Sequence, residues 1–307
     1  MDDKRPIIEQ VKQLLAKNPD VKVLMRLLLL YGELASHSTV LELDWERVAD
    51  GLTEYLRGRL HKQPTCSLLL SGGKTPEPLY LLLAARRYRN ALDWSRVHLF
   101  WGDERYVPHD DPQSNYYFAY ETWLRKANLP EANIHPMPTH YADPDEAARA
   151  YESELRRYFG AEATLPMFDL VLLGVGDDGH IASLFPNSTA LEETERWVVP
   201  SLAPTEPRQR LTVTLPALNA ARPVWFLVSG ERKRAVIEQL FLQPETNLPA
   251  KRIEAHWQRF WWLSPELYAV AKPSFIQDEE EEAAAVSSEW AQSSDFTSPN
   301  GGGASLC

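Results

Sequence analysis

Short apolar runs alternate with amphipathic stretches through the middle of this chain. Ser67 to Leu70, Val97 to Trp101, Phe168 to Leu173, Leu211 to Leu215 and Val224 to Val228 read as strands, and the continuous apolar runs among them suit strands covered on both faces. Leu79 to Tyr88, with apolar residues at 79, 82 and 83, and Ala147 to Phe159 predict amphipathic helices. Alternating strands and helices predict an α/β domain with a mostly parallel sheet. In such a sheet ligands gather beyond the carboxyl ends of the strands, so the loops after the apolar runs are where chemistry is expected.

The ends of the chain read differently. Residues 1–36 carry a helical pattern at Ile7, Ile8, Val11, Leu14 and Leu15, then a leucine-rich stretch from Val23 to Leu30 that fits a second helix or a buried strand. Arg26 interrupts that stretch, which is well short of a membrane span. Residues 276–307 hold seven acids, no Lys or Arg, and many Ser, Ala and Gly, so they bury too little apolar surface to offset ordering entropy. The expected organisation is an N-terminal extension over 1–36, one main domain over 37–275 and a disordered acidic tail over 276–307.

Charge and cysteine content narrow the function classes. The formal net charge of -11 opposes nonspecific attraction to nucleic acid or anionic lipid, so any phosphate ligand needs a local cluster of donors. Two cysteines, Cys66 in an apolar run and Cys307 at the last position, suggest neither a disulfide framework nor a Cys-based zinc site. We expect a soluble, cytoplasmic chain, a monomer or small homo-oligomer, with a small-molecule partner and no nucleic acid or membrane.

Three loops carry candidate chemistry. Ser71, Gly72, Gly73, Lys74, Thr75 and Pro76 follow one predicted strand and open a helix; two glycines let successive N–H groups converge on an anion, and the helix N-terminus adds a favourable dipole. The same sequence also fits a tight turn that uses glycine only for its backbone freedom. Trp101-Gly102-Asp103-Glu104-Arg105-Tyr106 follows the next strand. Arg105 there suits a phosphate or a developing oxyanion, with the acids gripping sugar hydroxyls, against the alternative of a solvated turn. Ser114, Asn115 and Tyr116 form a polar cluster that could line the same cleft.

The third loop runs from Gly174 through Gly176, Asp177, Asp178 and Gly179 to His180. Its G-x-G-x-x-G spacing matches a dinucleotide fingerprint, but Asp177 and Asp178 would face the pyrophosphate and Pro186 limits the following helix to about two turns. An imidazole titrates near neutral pH and a nearby carboxylate can fix its tautomer, so His180 is the candidate general base, oriented by Asp178 or Asp177. The alternative is a structural histidine bonded to its own loop. No G-x-S-x-G elbow and no H-E-x-x-H spacing occurs, so neither a serine nucleophile nor a metal is predicted. Farther on, Arg210 and Lys233 flank strand edges and could complete an anion cluster, while Asn219 fits either a substrate contact or a turn.

Taken in order, SGGKTP, FWGDERYVP with DPQSNYY, FDLVLLGVGDDGHIASLFP, RLTVTLPALNAARPVWFLVSGERK and LPAKRI resemble 6-phosphogluconolactonases of the glucosamine-6-phosphate isomerase/deaminase-like superfamily over about residues 38 to 268. The resemblance implies a modified Rossmann-like α/β/α sandwich. It also implies cofactor-free hydrolysis of 6-phospho-D-glucono-1,5-lactone in the oxidative pentose phosphate pathway. In that reading His180 activates water, Arg105 stabilises negative charge, and the glycine loop and basic side chains hold the phosphate.

Two departures stand out. The segment before Arg210 reads Ser201 to Gln209 without the lysine common in the family, leaving Arg208 as its substitute, and Trp261-Trp262-Leu263-Ser264 stands where an aspartate usually follows the aromatic strand. Sister enzymes that isomerise and deaminate glucosamine 6-phosphate typically continue from the histidine toward G-F-N-E-P, whereas Ile181-Ala-Ser-Leu-Phe-Pro186 follows here. A noncatalytic sugar-phosphate sensor is the other alternative, and no helix-turn-helix with a basic face is evident for it.

Overall fold

The computed structural model describes residues 20–23, 25, 38–254 and 258–271. The expectations for most of 1–36 and for the tail 276–307 lie outside the described residues. Positions 21–23 and 25 are helical, and Val21 and Met25 are buried in the same core as the main domain.

Strands β1 (Ser38–Glu42), β2 (Cys66–Leu70), β3 (Val97–Trp101), β5 (Ile134–His135), β6 (Leu170–Leu173), β9 (Val224–Val228) and β10 (Arg259–Leu263) form one sheet in the order β1-β10-β9-β6-β2-β3-β5. Every pairing in it is parallel. Every residue of β2, β6 and β9 is buried, because helices cover both faces: this is an α/β/α sandwich of the modified Rossmann type. Its helices are α1 (Trp45–Leu60), α2 (Glu77–Leu83), α3 (Arg86–Arg89), α4 (Asn115–Thr122), α5 (Pro144–Phe159), α6 (Leu215–Asn219), α7 (Arg234–Leu242) and α8 over 265–271. Phe226 and Trp261 stack at 3.8 Å between neighbouring strands.

Local chemistry sets the helix ends. Asp143 caps α5 and Pro144 opens it; Gly160, at φ +109°, ends it. The helix expected over Leu79 to Tyr88 is broken by the extended Ala85 into α2 and α3. The strand expected over Leu211 to Leu215 ends at Val213, and the pair Leu215-Pro216 starts α6 instead, where proline suits the first helical turn.

That strand, β8 (Gln209–Val213), also lies outside the parallel sheet. With β4 (Asp103–Arg105) and β7 (Val198–Leu202) it makes a small antiparallel sheet in the order β4-β8-β7. Gly102 joins the two sheets: its N–H donates to Leu70 at 3.0 Å and its carbonyl accepts from Val213 at 2.8 Å. The carboxyl ends of β9, β6, β2 and β3 are therefore neighbours, with the small sheet standing at the same edge.

Candidate active site

Beyond β6 the chain makes a tight turn closed by Gly179 N–H to Gly176 O at 3.1 Å and Gly176 N–H to His180 O at 2.8 Å. Gly179 sits at φ +80°, a conformation glycine adopts without strain. The turn brings His180 Nδ1 to 2.5 Å from Asp178 Oδ1, which also accepts from the His180 N–H at 3.2 Å. An ionised carboxylate only accepts, so Nδ1 carries the proton and Nε2 is the basic atom. Partial burial opposes ionisation of Asp178, but its bond to His180 holds it below the usual carboxylate range. The Phe185 ring packs against the imidazole at 4.6 Å.

Asp177 turns the other way and pairs with Lys233 Nζ at 2.6 Å, which lowers its pKa. Two acids equivalent in the sequence thus separate, one onto the histidine and one onto the loop after β9. Lys233, expected in the anion cluster, is occupied in this ion pair.

On the three-residue β4, alternation sorts the charged run. Glu104 faces inward, fully buried, and accepts from the N–H groups of Arg105, Asn115 and Tyr116 and from Ser114 Oγ at 2.6–3.0 Å. Burial pushes its carboxyl up to about 7 against the pull of those donors. The expectation that both acids of this run grip sugar hydroxyls therefore does not hold for Glu104, which is sealed from the cleft and anchors the first turn of α4. Ser114 and Asn115, expected to line the cleft, are likewise buried.

Asp103 and Arg105 take the other face of β4. Asp103 Oδ2 accepts from Ser183 Oγ at 2.7 Å, three residues past the histidine. Arg105 donates to Gln113 O at 2.6 Å and lies directly across the strand pair from Arg210. Arg210 is only 7% exposed, and among the described residues its Nε and Nη1 have no hydrogen-bond partner. Burial first, and the neighbouring Arg105 second, lower its pKa. A buried guanidinium with two unsatisfied donors is costly, and its geometry suits an anion that arrives with a ligand.

The glycine loop joins this group from β2. Ser71 Oγ accepts from the Gly174 N–H at 3.2 Å, linking it to the histidine loop. Gly72 packs under the Asn115 amide, Gly73 is at φ +78° with open space around it, and Lys74 is exposed. Arg208 is exposed in the turn between β7 and β8, its Nε 3.4 Å from Ala203 O. Asn219 is drawn into structure: it donates to Arg252 O at 3.1 Å and accepts from the Glu254 N–H at 2.8 Å. Among the described residues no group of three or more His, Cys, Asp or Glu side chains is arranged to hold a metal ion, and no helix is long and apolar enough to cross a membrane.

Residues 42–262 match the family described as glucosamine-6-phosphate isomerases/6-phosphogluconolactonase. The chain belongs to this isomerase/lactonase family. A 6-phosphogluconolactonase of Synechocystis sp. is 47% identical over 204 residues, covering 65% of this chain and 82% of the relative. One from Nostoc sp. is 39% identical over 220 residues, covering 71% and 89%. The crystal structure of a 6-phosphogluconolactonase from Thermotoga maritima superposes with a TM-score of 0.65 at 30% identity, covering 74% of this chain and 98% of that one.

Within this member of the isomerase/lactonase family, three residues shape the site in ways that sequence reasoning missed: Asn115 was read only as part of a polar cluster lining the cleft, Gly176 only as a turn glycine, and Ser183 was given no role. Gly176 makes room for the imidazole, Asn115 ties the glycine loop to Asp103, and Ser183 ties the histidine loop to Asp103. Ser183 is 80 residues from Asp103 and Asn115 is 12 residues from it across the turn into α4, so no helical or strand spacing signals either contact. Gly176 was legible only as one of several turn glycines.

Proposed function

We propose that this chain hydrolyses 6-phospho-D-glucono-1,5-lactone to 6-phospho-D-gluconate in the oxidative pentose phosphate pathway, without a cofactor. The observation that carries the reading is the His180–Asp178 pair, on a turn that shares the carboxyl edge of the sheet with Arg105 and the unsatisfied Arg210. His180 Nε2 removes a proton from water as its oxygen bonds to the lactone carbonyl carbon. Arg105 stabilises the oxyanion that forms. As the oxyanion collapses, the ring C–O bond breaks, its oxygen takes the proton back from His180, and the carboxylic acid product then ionises.

Asp178 keeps the imidazole in the tautomer that leaves Nε2 basic. Asp103 accepts from sugar hydroxyls. Arg210, with Lys74, Arg208 and the N–H groups of the Ser71–Gly73 loop, holds the phosphate, so binding energy far from the reacting bond positions the lactone. Asn219 and Lys233 act by holding the walls of the site. The catalytic unit is residues 37–275, working in the cytoplasm as a monomer or small homo-oligomer on a small-molecule sugar phosphate.

The test is the hydrolysis rate of freshly generated lactone by wild type and by His180→Ala, with the uncatalysed rate subtracted and 6-phosphogluconate binding measured for both. The expected result is fast hydrolysis by wild type and a loss of about 100-fold or more in a variant that still binds product. Wild type that binds product yet matches the blank would replace this reading with a sugar-phosphate sensor.

A further inference from the structure

Asp103 is held from two sides by buried side chains that arrive from separate parts of the chain. Ser183 Oγ donates to Oδ2 at 2.7 Å, while Asn115 Nδ2 donates to the Asp103 carbonyl at 2.8 Å and lies 3.4 Å from Oδ1. Both donors are themselves fixed. Ser183 is 2% exposed, its N–H donates to Thr212 Oγ1 at 3.2 Å and its carbonyl accepts from Ser201 Oγ at 2.6 Å. Asn115 is also 2% exposed; its N–H donates to Glu104 at 2.6 Å and its amide packs against Gly72, where a Cβ would fall 2.1 Å from Oδ1.

Asn115 Oδ1 is buried without a partner among the described residues, a cost for a purely structural amide. Ser183 has its backbone groups satisfied by Thr212 and Ser201, and among the described residues its hydroxyl donates to Asp103. Two side chains, from the start of α4 and from the loop after β6, thereby meet at Asp103, whose side chain remains partly exposed, and the loop after β2 backs one of them through Gly72.

We propose that Ser183 and Asn115 are positioning residues that hold the Asp103 carboxylate in the orientation that receives the sugar hydroxyls. This rests on the reading of Asp103 as a sugar contact. A carboxylate so clamped does not lose rotamer freedom when substrate binds, and the same contacts tie the sugar-binding group to the loop that carries His180. Because hydroxyl contacts of this kind are made in ground and transition states alike, loosening them raises KM with little change in kcat. A residue that only supports the fold lowers the active fraction and leaves KM unchanged.

The experiment is a double-mutant cycle on 6-phosphogluconolactone hydrolysis using Ser183→Ala, Asp103→Ala and the pair, with thermal melts confirming that each is folded. Ser183→Ala is expected to raise KM about tenfold, the size of one lost charge-assisted hydrogen bond, with kcat within about threefold. In the Asp103→Ala background the same change should move KM less than about twofold, since nothing is left to position. Asn115→Ala enters the same cycle with an expected rise of about threefold, and carries the test alone if Ser183→Ala does not fold. Additive effects, or an unchanged KM in both single variants, overturn the positioning role while leaving the assigned reaction standing. An Asp103→Ala enzyme with wild-type kcat/KM overturns the sugar-contact reading itself, and the positioning role with it.

Discussion

A methyl group on Gly176 would fall 2.0 Å from Nδ1 of His180 and 2.6 Å from Oδ1 of Asp178. The turn therefore packs its own backbone against the base and its partner, with no room for any side chain. Gly176→Ala must swing the imidazole away from Asp178. We expect kcat to fall about 100-fold, in the range lost when a general base is displaced, while 6-phosphogluconate affinity, measured by calorimetry, stays within about threefold. Wild-type turnover in this variant would show that the observed pairing is not the one used in catalysis.

Arg210 sets function against stability. Among the described residues its buried guanidinium lacks partners for Nε and Nη1, so replacing it with an apolar side chain of similar length removes a charge left unsatisfied there. Arg210→Met should raise KM for the phosphorylated lactone by about 10- to 100-fold, the loss of hydrogen bonds to a charged group, and raise the unfolding free energy by about 1–3 kcal/mol. Steady-state kinetics and urea melts read the two effects separately. A variant that is less stable than wild type would mean that Arg210 already has compensation in the unliganded protein.

Much of the parallel sheet was legible because continuous apolar runs mark strands covered on both faces, and β2, β3, β6 and β9 lie on or within one residue or two of the expected segments. β4, β5 and β7 were not: they are two to five residues long, and Asp103-Glu104-Arg105 reads as a charged turn until pairing with β8 buries Glu104. β1 is an edge strand whose partner β10 lies more than 200 residues away, and β10 joins it to the strand before, β9. At the site, His180, Asp178 and the glycine loop are adjacent in sequence to the strands that position them. The contacts that sort Asp177 from Asp178, or that bury Glu104, depend on side chains brought in by other loops, such as Lys233 and Ser114.

At the opposite edge of the sheet, Asp169 precedes β6 and accepts from Arg59 Nε at 2.9 Å, Gln63 Nε2 at 2.9 Å and the Ser67 N–H at 3.0 Å, with the Arg59 ion pair closing to 2.7 Å. Asp169 and Arg59 are both buried. Asp169→Ala leaves the guanidinium unpaired, and breaking a buried pair from one side costs about 3–5 kcal/mol. We expect that loss in denaturant melts together with an unchanged KM below the melting range, because the site lies at the other ends of the strands. A shifted KM would show that the two edges are coupled.

Two of the other histidines give the protein an acid-sensitive flank. His98 Nδ1 and His135 Nε2 lie 3.0 Å apart, and His135 Nδ1 is 2.9 Å from Glu154 Oε1. Burial lowers the pKa of both; His135 depresses His98 further, while Glu154 partly offsets the effect on His135. In the unfolded chain each titrates near the ordinary value of about 6.5. As pH falls below that value the unfolded state takes up protons before the folded state does, so stability is present in full above about pH 6.5 and is lost progressively toward the lower folded pKa values. Urea midpoints should therefore drop between pH 7.5 and 5.5, and His98→Phe, which removes one titrating ring while keeping an aromatic ring against His135 and Tyr158, should make that drop smaller. Equal drops in wild type and variant would assign the acid sensitivity elsewhere.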